Sequence, residues 1–171
     1  MQKKWVLINL ACIFLTLSAC GWQLRNNPLL SNQFGTVHIS YPKSQISLAV
    51  ELKRALKANN VRLVEAVDNA DYRIKILDVN QSRRISALNP KARASQYQIY
   101  QTVDYLIIND LGTELMPPIT AFAETNYNFD ESNILASESE EIFLQGNLRS
   151  EIVRQIIRRL GEVSYQQTGN P

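Results

Sequence analysis

Gln96-Tyr97-Gln98-Ile99-Tyr100-Gln101-Thr102-Val103-Asp104-Tyr105-Leu106-Ile107 decides the fold. Tyr97, Ile99, Val103, Tyr105 and Ile107 share one parity, and Gln96, Gln98, Thr102 and Asp104 share the other. Side chains alternate along a strand, so this is an unusually long strand with one dry and one wet face. Such a sheet needs a covering layer on its dry side only.

Upstream, Gln81 to Arg93 is a polar, basic interruption that reads as the tip of a hairpin. Before it, Tyr72, Ile74 and Ile76 alternate with Arg73 and Lys75, which predicts a strand running to about Val79. Thr36 to Tyr41 alternates in the same way and stops at Pro42. Between these strands, Leu48, Leu52, Ala55 and Leu56 recur at helical spacing, with Ser44 as a candidate cap and Asn59-Asn60 as the stop. Val61–Val64 is a short extended return, and Asp68–Asp71 a turn. Downstream, Asn109-Asp110-Leu111-Gly112 turns the chain, Pro117-Pro118 delays it, and Ile119 to Phe129 is the next strand. Ser137, with Glu140 three residues on, predicts the start of a long helix by a capping box. Leu144, Leu148, Ile152, Ile156 and Leu160 line its buried face, and Gly161 predicts its end. The order β-α-β-β-β-α predicts an α+β two-layer sandwich over residues 36–163: two helices packed on one face of a four-stranded mixed sheet. The first strand and the one after the helix can be parallel through a right-handed crossover. Residues 164–171 read as a flexible tail.

The other end of the chain is different in kind. Lys3 and Lys4 precede an apolar run from Trp5 to Leu17, and Leu17-Ser18-Ala19-Cys20 follows. A basic stretch, a short greasy stretch and small residues before a processing site are a signal peptide, here residues 1–19. The apolar run is too short to cross a hydrocarbon core of about 30 Å as a helix. Cys directly after Leu-Ser-Ala resembles the lipobox of bacterial lipoproteins, which implies that Cys20 is acylated and becomes the mature N-terminus. Residues 20–35 are then a tether, and membrane attachment is by covalent lipid.

Removal of Lys3 and Lys4 with the leader takes the basic count of 18 to 16, against 16 acidic residues. The mature chain is formally neutral, so charge does not point to nucleic acid. Cys12 leaves with the leader, so Cys20 is the only mature cysteine and neither an internal disulfide nor a cysteine metal site is possible. The one histidine, His38, sits between Val37 and Ile39 and reads as an ordinary strand residue. No serine lies in a nucleophile-elbow context, and the six glycines form no phosphate loop. Glu138, Glu140 and Glu141 fall in the first turns of the last helix, where they complement its dipole. These features weigh against an enzyme and imply no cofactor. Arg149, Arg154, Arg158 and Arg159 read as polar-face residues of the last helix, with Glu151 and Glu162 nearby.

One charged stretch stands out. Arg83, Arg84, Lys91 and Arg93 lie within eleven residues, with Ile85 and Leu88 among them. Cations next to apolar side chains suit an amphiphile with anionic head groups, since guanidinium groups pair with phosphate while the apolar residues meet acyl chains. A solvated, edge-protecting loop is the competing explanation.

Cys20-Gly21-Trp22-Gln23-Leu24-Arg25 resembles the opening of the mature LPS-assembly lipoproteins of the LptE family. Ala94-Ser95-Gln96-Tyr97-Gln98-Ile99 resembles the family's entry into its long strand, and Glu151–Leu160 its terminal helix. The resemblance implies an outer-membrane lipoprotein that sits in the lumen of a large β-barrel, LptD, as plug and assembly partner. The pair then delivers lipopolysaccharide to the outer leaflet. Gly21 after Cys20, in place of Asp, supports outer-membrane sorting. It also implies basic residues before the long strand and at the start of the last helix. Pro90-Lys91 occupies the first place here, and Ser137 stands in the second. Lys91, Arg93, Arg83 and Arg84 are the candidate lipopolysaccharide contacts. The rival reading is an accessory lipoprotein of general outer-membrane protein assembly, binding polypeptide rather than glycolipid.

Overall fold

The computed structural model describes residues 35–168, with side chains as far as Ser164. Cys20, the leader and nearly all of the tether lie outside the described residues. The elements are β1 (Thr36–Ser40), α1 (Ile46–Ala58), β2 (Arg62–Leu63), β3 (Tyr72–Leu88), β4 (Ala94–Asn109), β5 (Ile119–Asn128) and α2 (Ile134–Thr168). They form an α+β sandwich whose mixed sheet has the order β2-β1-β3-β4-β5. The sheet has five strands where the residue pattern predicted four. The extra one is the return after α1, which pairs Arg62 with Thr36 and Leu63 with Val37. Two residues are too few to show alternation. β1 and β3 are parallel, with Val37 opposite Tyr72 and Ser40 opposite Lys75, and α1 forms the crossover.

The larger difference lies in β3. It does not end near Val79 but continues as far as Leu88, pairing antiparallel with β4 from Tyr72↔Asn109 to Leu88↔Ala94. Register shifts between Ile76 and Asp78, and again from Ile85 to Leu88, change which parity faces the helices. A bulge inserts one residue and breaks the period of two, which is why Gln81–Leu88 looks like a loop in sequence. The polar stretch is a strand because β4 satisfies its backbone, not because its own side chains ask for one. Only Val37–Ser40 of β1 pairs with β3, so the distal part of the hairpin projects past β1.

Both helices begin differently from expectation. Lys43–Gln45 forms a 3-10 turn, and α1 follows with no side-chain cap from Ser44. It ends as predicted: Asn59 Nδ2 donates to Ala55 O at 2.8 Å, and Asn60 takes φ 59°. α2 starts at Ile134 rather than at Ser137. Asn133 supplies the cap, its Oδ1 accepting from the Ala136 N–H at 3.3 Å. Ser137 is buried inside the first turn and accepts from the Asp130 N–H at 3.1 Å. Nor does the helix stop at Gly161: it is helical to Thr168, so the flexible tail expected over 164–171 is helix for its first five residues. A helical glycine costs about 1 kcal/mol, whereas burying Leu160 and Val163 on either side returns about 1.5–3 kcal/mol each.

The core lies between the helices and the dry face of the sheet. Leu48, Leu52 and Leu56 of α1, and Leu148, Ile152, Ile156 and Leu160 of α2, meet Val37, Ile74, Val103, Tyr105 and Ile107. At about 1.5 Å per residue, α2 is about 50 Å long and α1 about 20 Å. The N-terminal part of α2 therefore runs beyond α1 and lies along the projecting hairpin. Among the described residues, no helix is long and apolar enough to cross a membrane.

Candidate functional site

The hairpin tip is built by one asparagine. Asn89 Oδ1 accepts from the N–H groups of Lys91 and Arg93 at 2.9 and 3.0 Å, while Asn89 N–H bonds Arg93 O at 2.8 Å. This closure drives Ala92 to φ 59°, a left-handed conformation uncommon for a residue with a side chain. Lys91 is presented at the apex, and among the described residues no carboxylate pairs with it. Arg93 is tied at 2.8 Å to Glu131, in the loop that leads into α2.

Arg83 and Arg84 are not at the tip. They sit within β3 and, being adjacent, face opposite sides of the sheet. Arg83 is on the helix side. Its Nη1 is 2.7 Å from Glu141 Oε2, and its guanidinium lies 4.6 Å from the centre of the Tyr97 ring. Tyr127 donates its hydroxyl to the same Glu141 oxygen at 2.5 Å. Burial pushes the Glu141 carboxyl up, but the bonds from Tyr127, Arg83 and Gln145 outweigh that and hold it below its ordinary value. The Tyr127 phenol is pushed up to about 12, first by burial and then by its bond to Glu141. Arg83 is thus spent on a clamp that fastens α2 to the hairpin. Glu141, read from sequence as a dipole residue, is the centre of that clamp. Three residues from three elements have no shared spacing, so no local signal marks them as partners.

Arg84 is on the open face, where its Nε donates to Gln98 Oε1 at 2.5 Å and its charge stays uncompensated. By register the same face carries Gln96, Tyr100, Thr102, Asn126 and Asn128 and, further along, Lys75, Asp78, Asp104 and Glu124. The four cations predicted to act together therefore divide three ways. Arg84 and Lys91 are free cations, Arg93 is paired but two-thirds exposed at 64 %, and Arg83 is bound internally. Ile85 and Leu88 stand beside them, more than half exposed. His38 has the structural role expected of it, its Nδ1 lying 3.2 Å from Val64 O.

The lipopolysaccharide-assembly family model LptE matches residues 34–160, which span every strand and most of α2. The chain belongs to the LptE family. It is 20 % identical over 161 residues to the LPS-assembly lipoprotein LptE of Photorhabdus laumondii, covering 94 % of this chain and 87 % of that protein. Among solved structures, the rare lipoprotein B of Shewanella oneidensis superimposes with a TM-score of 0.69 at 18 % identity, over 78 % of this chain and 99 % of that one. A minor lipoprotein of Acinetobacter baumannii gives 0.63 at 24 % identity, over 75 % and 92 % of the two chains. These two likenesses establish the fold. As an LptE-family chain, this is a membrane-associated lipoprotein of lipopolysaccharide assembly.

Proposed function

We propose that this chain is a non-enzymatic lipoprotein of the outer membrane, anchored through acylated Cys20. It sits in the lumen of the LptD β-barrel as plug and assembly partner and contacts lipopolysaccharide through the hairpin end. The observation that carries this reading is the family match across nearly the whole described domain. The geometry supports it in two ways. The open sheet face carries uncharged polar side chains interspersed with charges of both signs, Lys75 and Arg84 against Asp78, Asp104 and Glu124, which suits contact with a wet, polar barrel interior. The projecting hairpin offers Arg84, Lys91 and Arg93 next to exposed Ile85 and Leu88, which suits a phosphorylated amphiphile.

The hairpin assignment is tested with purified lipopolysaccharide. Each charge-assisted bond to phosphate contributes about 1.5–3 kcal/mol before screening, so Arg84→Glu with Lys91→Glu weakens binding about tenfold or more. Both side chains are outside the core, so the melting temperature stays within about 2 °C. Equal affinity of the double variant and the wild type at low and moderate salt makes this hairpin a solvated edge and nothing more.

A further inference from the structure

At the opposite end of the sheet from the hairpin tip, α2 and the free edge of β5 enclose a cleft of about 310 Å³. Its walls include Tyr105, Thr120, Gln155, Arg158, Arg159 and Glu162. The edge of β5 is part of the site. Phe122 turns its backbone outward, its N–H bonding Gln155 Oε1 at 3.2 Å and its carbonyl accepting from Gln155 Nε2 at 2.9 Å. Alternate residues of an antiparallel strand point their backbone groups the same way, so the Thr120 N–H also leaves from this edge. Gln155 takes the place of a neighbouring strand at Phe122 and leaves Thr120 open.

Two side chains complete the arrangement. Tyr105 is 1 % exposed, yet it lines the cleft, and among the described residues its hydroxyl makes no hydrogen bond. That hydroxyl opens onto the cleft and is available to a group bound there. Burial pushes this phenol up to about 12, so at neutral pH it keeps its proton and is a donor. Arg159 is held by Glu162 at 2.7 Å, whereas among the described residues no carboxylate lies within 4.0 Å of Arg158. The cleft thus gathers a guanidinium from the helix that feels Glu151 without forming an ion pair with it, a phenol from the floor and a backbone N–H from the strand edge.

We propose that this cleft binds a phosphoryl group, with Arg158, the Tyr105 hydroxyl and the Thr120 N–H as its donors. Donors arriving from three directions match a tetrahedral oxyanion better than a planar carboxylate. Glu162 lowers the positive charge of the site, so binding is modest in strength and sensitive to salt. The phosphoryl group has two sources, a free phosphate or a phospholipid head group.

The test uses the mature lipidated chain in neutral detergent, with the Thr120 amide followed by nuclear magnetic resonance. In one arm potassium phosphate is titrated against potassium chloride at matched ionic strength. In the other, the micelles are doped with phosphatidic acid. A saturable shift in the first arm identifies free phosphate, and one in the second alone identifies the lipid. In either case Arg158→Gln weakens binding about tenfold and Tyr105→Phe several-fold, while Arg84→Gln with Lys91→Gln changes nothing. Arg158 is exposed, so its variant folds and remains a clean probe. A shift reproduced by chloride, saturation in neither arm, or undiminished binding by Arg158→Gln overturns the proposal. The hairpin assignment survives any of these results, because that site lies about 30 Å of strand away.

Discussion

Glu141→Ala removes the acceptor shared by Arg83 and Tyr127, and its cost follows from the geometry. Tyr127 is 3 % exposed, so its hydroxyl loses a charge-assisted bond and gains little water in exchange, a cost of about 1.5–3 kcal/mol. The Arg83 side chain is 48 % exposed and rehydrates, so its half of the clamp adds only about 0.5 kcal/mol. We expect a total near 2–3 kcal/mol by chemical denaturation at pH 7, and a coupling of about 1–2 kcal/mol to Tyr127→Phe in a double-mutant cycle. The loss is local. Amides of residues 134–147 exchange faster, while those of Ile74, Val103 and Ile107 change only as global stability falls. The clamp also has a pH signature. Glu141 is held below the ordinary value of 4.5, so its contribution is complete above that pH and disappears as pH falls through the lower native value. The difference between wild type and variant is therefore flat from pH 7 to about 5 and shrinks only under more acid conditions. A cost below about 0.5 kcal/mol, or unchanged exchange over 134–147, refutes the view that this clamp fastens α2 to the hairpin.

Two further outcomes are expected. Ile156 is fully buried between α2 and the sheet, so Ile156→Ala costs about 2–5 kcal/mol in thermal or chemical unfolding; a stability within about 0.5 kcal/mol of wild type contradicts that packing. Mass spectrometry of the mature N-terminus finds an acylated Cys20, and Cys20→Ala accumulates as uncleaved or unanchored protein; an unmodified Cys20 contradicts the lipobox reading.

What was legible in the sequence is what obeys a simple period. The dry face of β4 and the α2 residues Leu148, Ile152, Ile156 and Leu160 repeat every two or four residues, and all are buried except Tyr97, which is partly buried. Gln101 shares the buried parity of β4, and its Oε1 has no partner there, so alternation alone did not reveal a polar group in the core. β3 was cut short because bulges shift its parity and its distal half is mostly polar and exposed. Ser137 and Gly161 are local start and stop signals that tertiary burial overrode. At the hairpin, composition located the cations correctly but not their fates. Adjacent residues of a strand face opposite sides, so Arg83 and Arg84 were bound to part, and the partner of Arg83 lies 58 residues away on α2.

The central claim is partnership with a barrel, and extraction of the native lipoprotein from outer membranes in mild detergent tests it most directly. The account predicts that a large β-barrel of the lipopolysaccharide export machine co-purifies in equimolar amount and remains associated with the Arg84→Glu, Lys91→Glu variant. Recovery of the lipoprotein with a different assembly complex, or with no barrel at all, contradicts it.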